Sequence, residues 1–177
     1  MHTSARRSLL SAILVLAMAG CAQSGSNGGG LVSSGHWEVS PPLHDDGMTI
    51  AMINAADMQS VMQLYCHAPS KDLVLQIAPR DLAGDAKDQG LTLAFDGGAP
   101  VAQHWQADMY QGKFLAFGLG SESPAFTPMI DALRTHRSVE ITISTSGKEV
   151  RRDTVALQGA AAAIDQVLTV CGRPTHA

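Results

Sequence analysis

Apolar and polar residues alternate in several short runs after residue 36, and Gly, Pro and Asp separate these runs. This pattern predicts β-strands, because successive side chains of a strand point to opposite faces of a sheet. The clearest run places Val139, Ile141 and Ile143 on one face and polar residues between them. The predicted strands are 37–39, 48–54, 60–66, 73–77, 91–95, 101–108, 113–119, 139–143 and 149–157. Such strands favour an antiparallel sheet with one buried face and one polar face.

Turn residues lie between the predicted strands. Gln111-Gly112 separates 101–108 from 113–119, and Ser146-Gly147 separates the last two strands, so we expect a hairpin at each place. Asp96-Gly97-Gly98 ends the strand that contains Leu91, Leu93 and Phe95.

Two segments follow the helical period instead. Ser123 and Pro124 supply an N-cap and a first helical position, and they predict a helix of about a dozen residues. The second helix begins near Gly159 and ends at Gly172 and Pro174. The apolar stripes are Phe126, Met129, Ile130 and Leu133 in the first helix, and Ile164, Val167, Leu168 and Cys171 in the second.

The N-terminus has the order of a secretory signal: Arg6 and Arg7, then an apolar run, then small residues before a cysteine. The run is shorter than the roughly 20 apolar residues that cross a bilayer, which favours a cleaved signal over an anchor helix. A twin-arginine export signal is the alternative for the arginine pair. Met18-Ala19-Gly20-Cys21 resembles the lipobox of bacterial lipoproteins. This resemblance implies cleavage before Cys21, acylation of Cys21 and, because Ala22 follows, an outer-membrane destination in a Gram-negative cell.

We therefore predict three parts: a lipoprotein signal peptide (1–20), a flexible tether (21–35) and a single β-rich domain (36–177). The tether is rich in Gly and Ser and has few apolar side chains to offset the entropy of ordering. It lacks the context of a phosphate-binding loop, because no strand precedes it and no GK[ST] ends it.

Loss of the signal changes the charge of the chain. Without Arg6 and Arg7, ten Lys and Arg residues face 16 Asp and Glu residues, a formal net charge of −6. No basic block is longer than the pair Arg151-Arg152. These two observations disfavour a nucleic-acid partner.

Three cysteines are present, and the lipobox assigns Cys21 to a lipid. Cys66 and Cys171 are then an even pair in an oxidising compartment, and each lies on the apolar side of its element. We expect a disulfide between them; free buried thiols and a redox pair are the alternatives. The predicted fold is therefore mainly β (α+β), an antiparallel β-sandwich-like domain with two amphipathic helices, the C-terminal one tethered to the sheet by this disulfide.

Three motifs of the domain form a recognisable pattern. They are Leu64-Tyr65-Cys66, Phe95-Asp96-Gly97-Gly98 with Pro100 and Trp105, and Val155-x-Leu157-x-Gly159 before a helix that reaches Cys171. This pattern resembles that of the VasI and TagO proteins, periplasmic accessory proteins associated with type VI secretion. The resemblance covers most of residues 37–172. It implies an accessory role in the cell envelope with a protein partner.

The sequence offers no catalytic motif. A G-x-S-x-G elbow is missing around Ser121, and S-x-x-K is missing after Cys21. Histidines are scattered, without a His-x-His or H-E-x-x-H spacing, at His36, His44, His67, His104, His136 and His176. We therefore predict no enzymatic activity, no metal and no cofactor.

One stretch keeps a metal hypothesis open, because thioether sulfur selects Cu(I). It contains His44 and four methionines, Met48, Met52, Met58 and Met62. On a strand, Met48 and Met52 share a face but lie about 13 Å apart, which favours packing over coordination.

Trp37, Phe95 and Trp105 are the large aromatic residues that we expect to anchor either the core or a partner surface. Together these observations predict a lipid-anchored cell-envelope protein that acts as a non-catalytic protein-binding or accessory module. The resemblance to the VasI and TagO proteins implies that this module is associated with type VI secretion. The alternatives are an envelope copper-handling protein and a hydrolase.

The lipid prediction is tested by labelled palmitate. We expect the wild-type chain to incorporate the label and the Cys21→Ser variant to incorporate none, because the serine hydroxyl does not replace the thiol in thioether formation. The same variant should remain unprocessed on a gel. Equal labelling and processing of the two chains would contradict the lipobox assignment.

Overall fold

The computed structural model describes residues 36–40, 47–82, 86–110 and 114–173. The predicted signal peptide, Cys21 and the tether lie outside these residues, as do His44, Gln111-Gly112, Pro174 and His176. The described part of the chain forms two antiparallel sheets and two helices.

Within the described residues, the elements follow one another as ten strands, with one helix before β9 and one after β10. The strands are β1 (Glu38–Val39), β2 (Met48–Asn54), β3 (Ser60–His67), β4 (Asp72–Pro79), β5 (Gln89–Phe95), β6 (Val101–Gln103), β7 (Gln106–Tyr110), β8 (Phe114–Gly120), β9 (Ser138–Thr145) and β10 (Lys148–Ala156). The helices are α1 (Phe126–Thr135) and α2 (Ala160–Val170), and a short 3-10 turn covers Ala86–Asp88.

A six-stranded sheet has the order β1-β2-β3-β4-β8-β7, and a four-stranded sheet has the order β10-β9-β5-β6. All neighbours pair antiparallel, as the alternating pattern predicts. The hairpins β7–β8 and β9–β10 are confirmed, and Ser146 and Gly147 both adopt positive φ in the turn of the second.

The core lies between the inner faces of the two sheets and the helices. The alternate residues of β3, β4 and β9 that point inward are completely buried, among them Leu64, Leu75 and Ile141. Helix α2 packs against β1, β2, β3 and α1. Both predicted apolar stripes are buried, so the mainly β, sandwich-like class with two packing helices is confirmed.

The predicted disulfide is present. The Sγ atoms of Cys66 and Cys171 are 2.04 Å apart and their Cα atoms 5.8 Å apart, within the normal range of a protein disulfide. Cys66 lies on the inner face of β3, and Cys171 is the C-cap of α2. The bond therefore links the C-terminal helix to the six-stranded sheet.

The prediction of one strand over 101–108 was wrong. The chain forms β6 and β7 instead, which belong to different sheets. Trp105, between them, is only 8% exposed and packs in the shared core. Strand β6 pairs with β5 and strand β7 pairs with β8, so the chain passes from one sheet to the other at Trp105, whose indole lies in the core that the two sheets share.

The start of α1 also differs from the prediction. The helix begins at Phe126 with Ala125 as N-cap, and no side chain caps it. Ser123 Oγ instead accepts a hydrogen bond from the Ala125 N–H at 3.3 Å, in the turn before the helix. Pro128 lies in the first helical turn, where a missing N–H costs no intrahelical hydrogen bond.

Asp96 connects the end of β5 to the start of β9. Its φ is +49°, and its Oδ1 accepts hydrogen bonds from the backbone N–H groups of Arg137 and Ser138, both at 2.9 Å. These two donors, Arg137 first, hold the pKa of the Asp96 carboxyl below its usual value, because they favour the charged form. The Asp96-Gly97-Gly98 motif therefore has a structural role in this fold.

The disulfide should stabilise the domain measurably. Replacement of both Cys66 and Cys171 by Ala should lower the free energy of unfolding by about 2–5 kcal/mol, because the bond closes a long loop in the unfolded chain. Denaturant unfolding with and without reductant measures this. Reductant should lower the midpoint of the wild type and leave that of the double variant unchanged; no effect of reductant on the wild type would contradict the prediction.

Candidate functional site

The outward-facing side of the six-stranded sheet carries apolar residues around an open groove of about 730 Å³. We call this groove the outer groove. Its apolar lining comes from β2, β3, β4 and the start of β8: Met48, Ile50, Val61, Tyr65, Ala78 and Phe114. Except for Phe114, these side chains are half-buried, whereas their neighbours in sequence point into the core.

Strand register sets the arrangement of this lining. Ile50 lies opposite Tyr65 across β2 and β3, and Val61 lies opposite Ala78 across β3 and β4. Because opposed side chains on one face are about 5 Å apart, these pairs form two apolar patches in the floor of the groove, one on each side of Gln63.

Polar groups lie in the floor and at one end of the groove. Gln63 and Gln76 are opposite each other, and the Gln63 Nε2 donates a hydrogen bond to the Gln76 Oε1. At the end near β4, Arg80 and Asp81 contribute opposite charges, and the Arg80 guanidinium donates to Asn54 Oδ1 at 2.7 Å.

Phe114 is the most exposed apolar residue of the groove, with 42% of its surface accessible. An aromatic ring at this exposure, beside half-buried Met, Ile and Val, makes the groove a candidate for recognition of another molecule.

A second concavity of about 240 Å³ continues from the outer groove and shares Tyr65 and Gln76 with it. Asp108 on β7 and Glu122 after β8 line it. We call these two carboxylates the acidic margin. Gly120 leaves space for the Glu122 carboxylate, because a Cβ at position 120 would lie 2.2 Å from Glu122 Oε1.

The four-stranded sheet has a different outer surface. Its outward residues are mainly polar, with Val101 and Val150 as exposed apolar exceptions. Arg152 on β10 forms ion pairs with Glu140 at 3.0 Å and Glu149 at 2.6 Å. Hydrogen bonds from Arg152 hold the pKa of the Glu149 carboxyl below its usual value. This sheet therefore fits the predicted half-buried pattern, and the six-stranded sheet does not.

Two strand sequences carry a signal for the apolar outer face. Strand β2 reads MTIAMIN and carries apolar residues on both faces. Strand β4 reads DLVLQIAP, and its outer face carries Val74 and Ala78 as well as the polar residues Asp72 and Gln76. Near-continuous apolar strands are typical of sheets that are covered on both sides.

The methionine side chains of residues 48–62 do not meet at one point. Met48 and Met52 share the outer face of β2, Met62 is fully buried on the inner face of β3, and Met58 lies in the turn between them with φ +61°. In the ranges that the structure describes, no group of three or more His, Cys, Asp or Glu residues is placed to hold a metal ion.

The aromatic residues divide between two environments. Trp105 lies in the core, and the half-buried Trp37 packs against the core. The ring of Phe95 is half-buried, with its centroid 4.8 Å from that of His136. The expectation that these residues anchor the core is therefore confirmed for Trp105. The aromatic side chains of the outer groove are those of Tyr65 and Phe114.

The turn between β3 and β4 places a serine, a histidine and an aspartate together. Ser70 Oγ donates to Asp72 Oδ2 at 2.6 Å and contacts His67 Nδ1 at 2.6 Å. In a catalytic triad the histidine lies between serine and carboxylate, whereas here the serine lies in the middle. The arrangement stabilises an exposed turn and does not have the order of a hydrolase site.

A smaller concavity of about 170 Å³ lies between α1 and α2. Arg134 and Arg173 line it, and Arg134 pairs with Asp165 at 3.1 Å. This ion pair connects α1 to α2. The concavity is the space left between the two packed helices.

A buried carboxyl joins the two sheets. Asp153 on β10 is 3% exposed, and Ser60 on β3, which is fully buried, donates its hydroxyl hydrogen to Asp153 Oδ2. Asp153 Oδ1 has no hydrogen-bond partner among the described residues. Burial raises the pKa of the Asp153 carboxyl; the Ser60 hydrogen bond lowers it, and the nearby Asp57 carboxyl raises it further.

Comparisons of the chain with protein-family models, with curated proteins and with solved structures found no match. Within residues 36–173, as far as the structure describes them, no helix has the length and apolar character needed to cross a membrane.

The buried carboxyl gives a pH-dependent stability. The pKa of the Asp153 carboxyl is higher in the folded chain than in the unfolded chain. The free energy of unfolding therefore falls as the pH rises from the unfolded-state pKa to the folded-state pKa of this group. The Asp153→Asn variant should lack this fall. At pH 7 its free energy of unfolding should equal that of the wild type or exceed it by up to about 1 kcal/mol. Denaturant unfolding from pH 4 to 8 measures both effects.

Ser60→Ala is the matched control for this prediction. It removes the donor to Asp153 and leaves the carboxyl buried, so it should destabilise the chain by about 1–3 kcal/mol at pH 7. A wild-type stability that rises steadily across this pH range, with Asp153→Asn parallel to it, would contradict the assignment.

Proposed function

We propose that this chain is a lipid-anchored protein of the cell envelope that acts as a non-catalytic protein-binding or accessory module. The lipobox-like Met18-Ala19-Gly20-Cys21 supports anchoring in the outer membrane, with the domain facing the periplasm. The outer groove is the binding surface of this proposal.

The observation that carries the proposal is the apolar outer face of the six-stranded sheet. The outer face is built from Met, Ile, Val and Tyr. Covering this face with another surface is favourable, because each Å² of apolar area removed from water lowers the free energy by about 25 cal/mol. The exposed Phe114 adds an aromatic anchor of the kind that is enriched at protein interfaces.

The resemblance to the VasI and TagO proteins supports a partner in a type VI secretion apparatus. The motifs that carry this resemblance lie mainly in the core and its turns: Cys66 and Cys171 form the disulfide, and Asp96 joins β5 to β9. They support the fold and the compartment, and the outer groove supplies the recognition surface.

Photo-crosslinking in cells tests this proposal. A benzoylphenylalanine at position 114, in the outer groove, should give an adduct with another envelope protein, identified by mass spectrometry. The same residue at position 101 is the matched control, because Val101 is 58% exposed on the edge strand β6 of the other sheet. An adduct from position 114 alone supports the proposal; identical products from both positions, or none from either, contradict it.

A further inference from the structure

We propose that the outer groove binds a basic amphipathic helix of a partner protein, laid across strands β2, β3, β4 and β8. This inference rests on the proposed function, because it specifies the partner of the same surface. Four neighbouring strands span about 14 Å, and a helix of about ten residues is 15 Å long, so the two match in size.

The shape of the groove favours a helix over a small apolar ligand. Sites for small ligands are concave and bury most of the ligand surface. A sheet face covers one side of its occupant only. An amphipathic helix needs no more than that, since it buries one apolar stripe and keeps its polar side in water.

The charges around the groove define the polar side of this helix. The described residues that line the outer groove and the adjoining concavity provide three carboxylates, Asp81, Asp108 and Glu122, and one guanidinium, that of Arg80. A helix with Lys or Arg beside its apolar stripe complements the acidic margin.

The same charges disfavour two other occupants. A second copy of this chain, related by a two-fold axis, would bring this acidic surface against itself. Carboxylates at the margin also repel the anionic headgroups of phospholipids, which disfavours a membrane surface.

The floor can adapt to the side chains of a helix. Met48 at one end is flexible and polarisable, as is typical of surfaces that bind helices of varied sequence. The Gln63 Nε2 donates one hydrogen bond to the Gln76 Oε1, and contact with an apolar stripe leaves that bond intact.

A peptide titration tests the inference. The probe is an amidated peptide of about 14 residues with Leu at positions i, i+3, i+4 and i+7 and Lys beside this stripe. The full chain is held in neutral phosphatidylcholine nanodiscs, with empty discs as the blank, and the peptide fluorescence anisotropy is measured. We expect saturable binding, and binding at least about tenfold weaker when Glu replaces every Lys.

Two matched variants locate the site. Phe114→Ser should weaken binding about tenfold or more, because it removes an exposed aromatic contact from the groove. Val101→Ser removes an exposed apolar residue from the other sheet and should leave the affinity unchanged. The double variant Asp108→Asn with Glu122→Gln should weaken binding and reduce its dependence on salt.

A peptide of the same composition with Leu out of helical register should not bind. Equal binding of the two peptides, or equal affinity of wild type and Phe114→Ser, would overturn the proposal. Saturation of the groove by dansyl-undecanoate without peptide binding would assign it to an acyl chain. A Phe114-dependent dimer in sedimentation, again without peptide binding, would assign it to a second copy.

The outcomes also separate this inference from the proposed function. Crosslinks from position 114 to an envelope protein, together with no peptide binding, would remove the basic helix and retain the protein-binding module. Absence of both would remove both.

Discussion

The Cys66–Cys171 disulfide, with the period-two geometry of β3, is the constraint on which the rest of the structure depends. The bond holds Cys66 on the inner face, under the end of α2. Neighbouring residues of a strand point to opposite faces, so Tyr65 and the other alternate residues of β3 must face outward. A shift of one residue would exchange the two faces and bring the thiol into solvent.

Strand pairing carries this constraint across the six-stranded sheet. The register of β2 and β4 against β3 places Ile50, Val74 and Ala78 on the same side as Tyr65 and Val61. The inner face is then used by α2 and the core, and the apolar outer face remains accessible as the outer groove. The proposed binding surface is thus a consequence of which side of the sheet the helix occupies.

The two sheets are joined by polar contacts as well as by the apolar core. Ser60 of β3 donates to Asp153 of β10, and the Ala56 N–H donates to the Thr154 carbonyl at 3.0 Å. The first contact buries a carboxyl whose second oxygen has no partner in the described structure. Leaving such an atom unpaired costs free energy, and the apolar core on either side supplies the stability that tolerates it.

Local patterns in the sequence were enough to predict the class of fold. Alternation in 139–143 and 60–66, the apolar stripes that begin at Phe126 and Ile164, and the positions of the two cysteines predicted the strands, the helices and the disulfide, because these patterns reflect local geometry and burial. The tertiary structure was needed to show that the chain leaves one sheet and enters the other at Trp105, and that the apolar outer face of the six-stranded sheet is open in the described part of the chain. Local periodicity shows that a strand has two faces, but which face is covered depends on elements distant in sequence, here α2 and the four-stranded sheet.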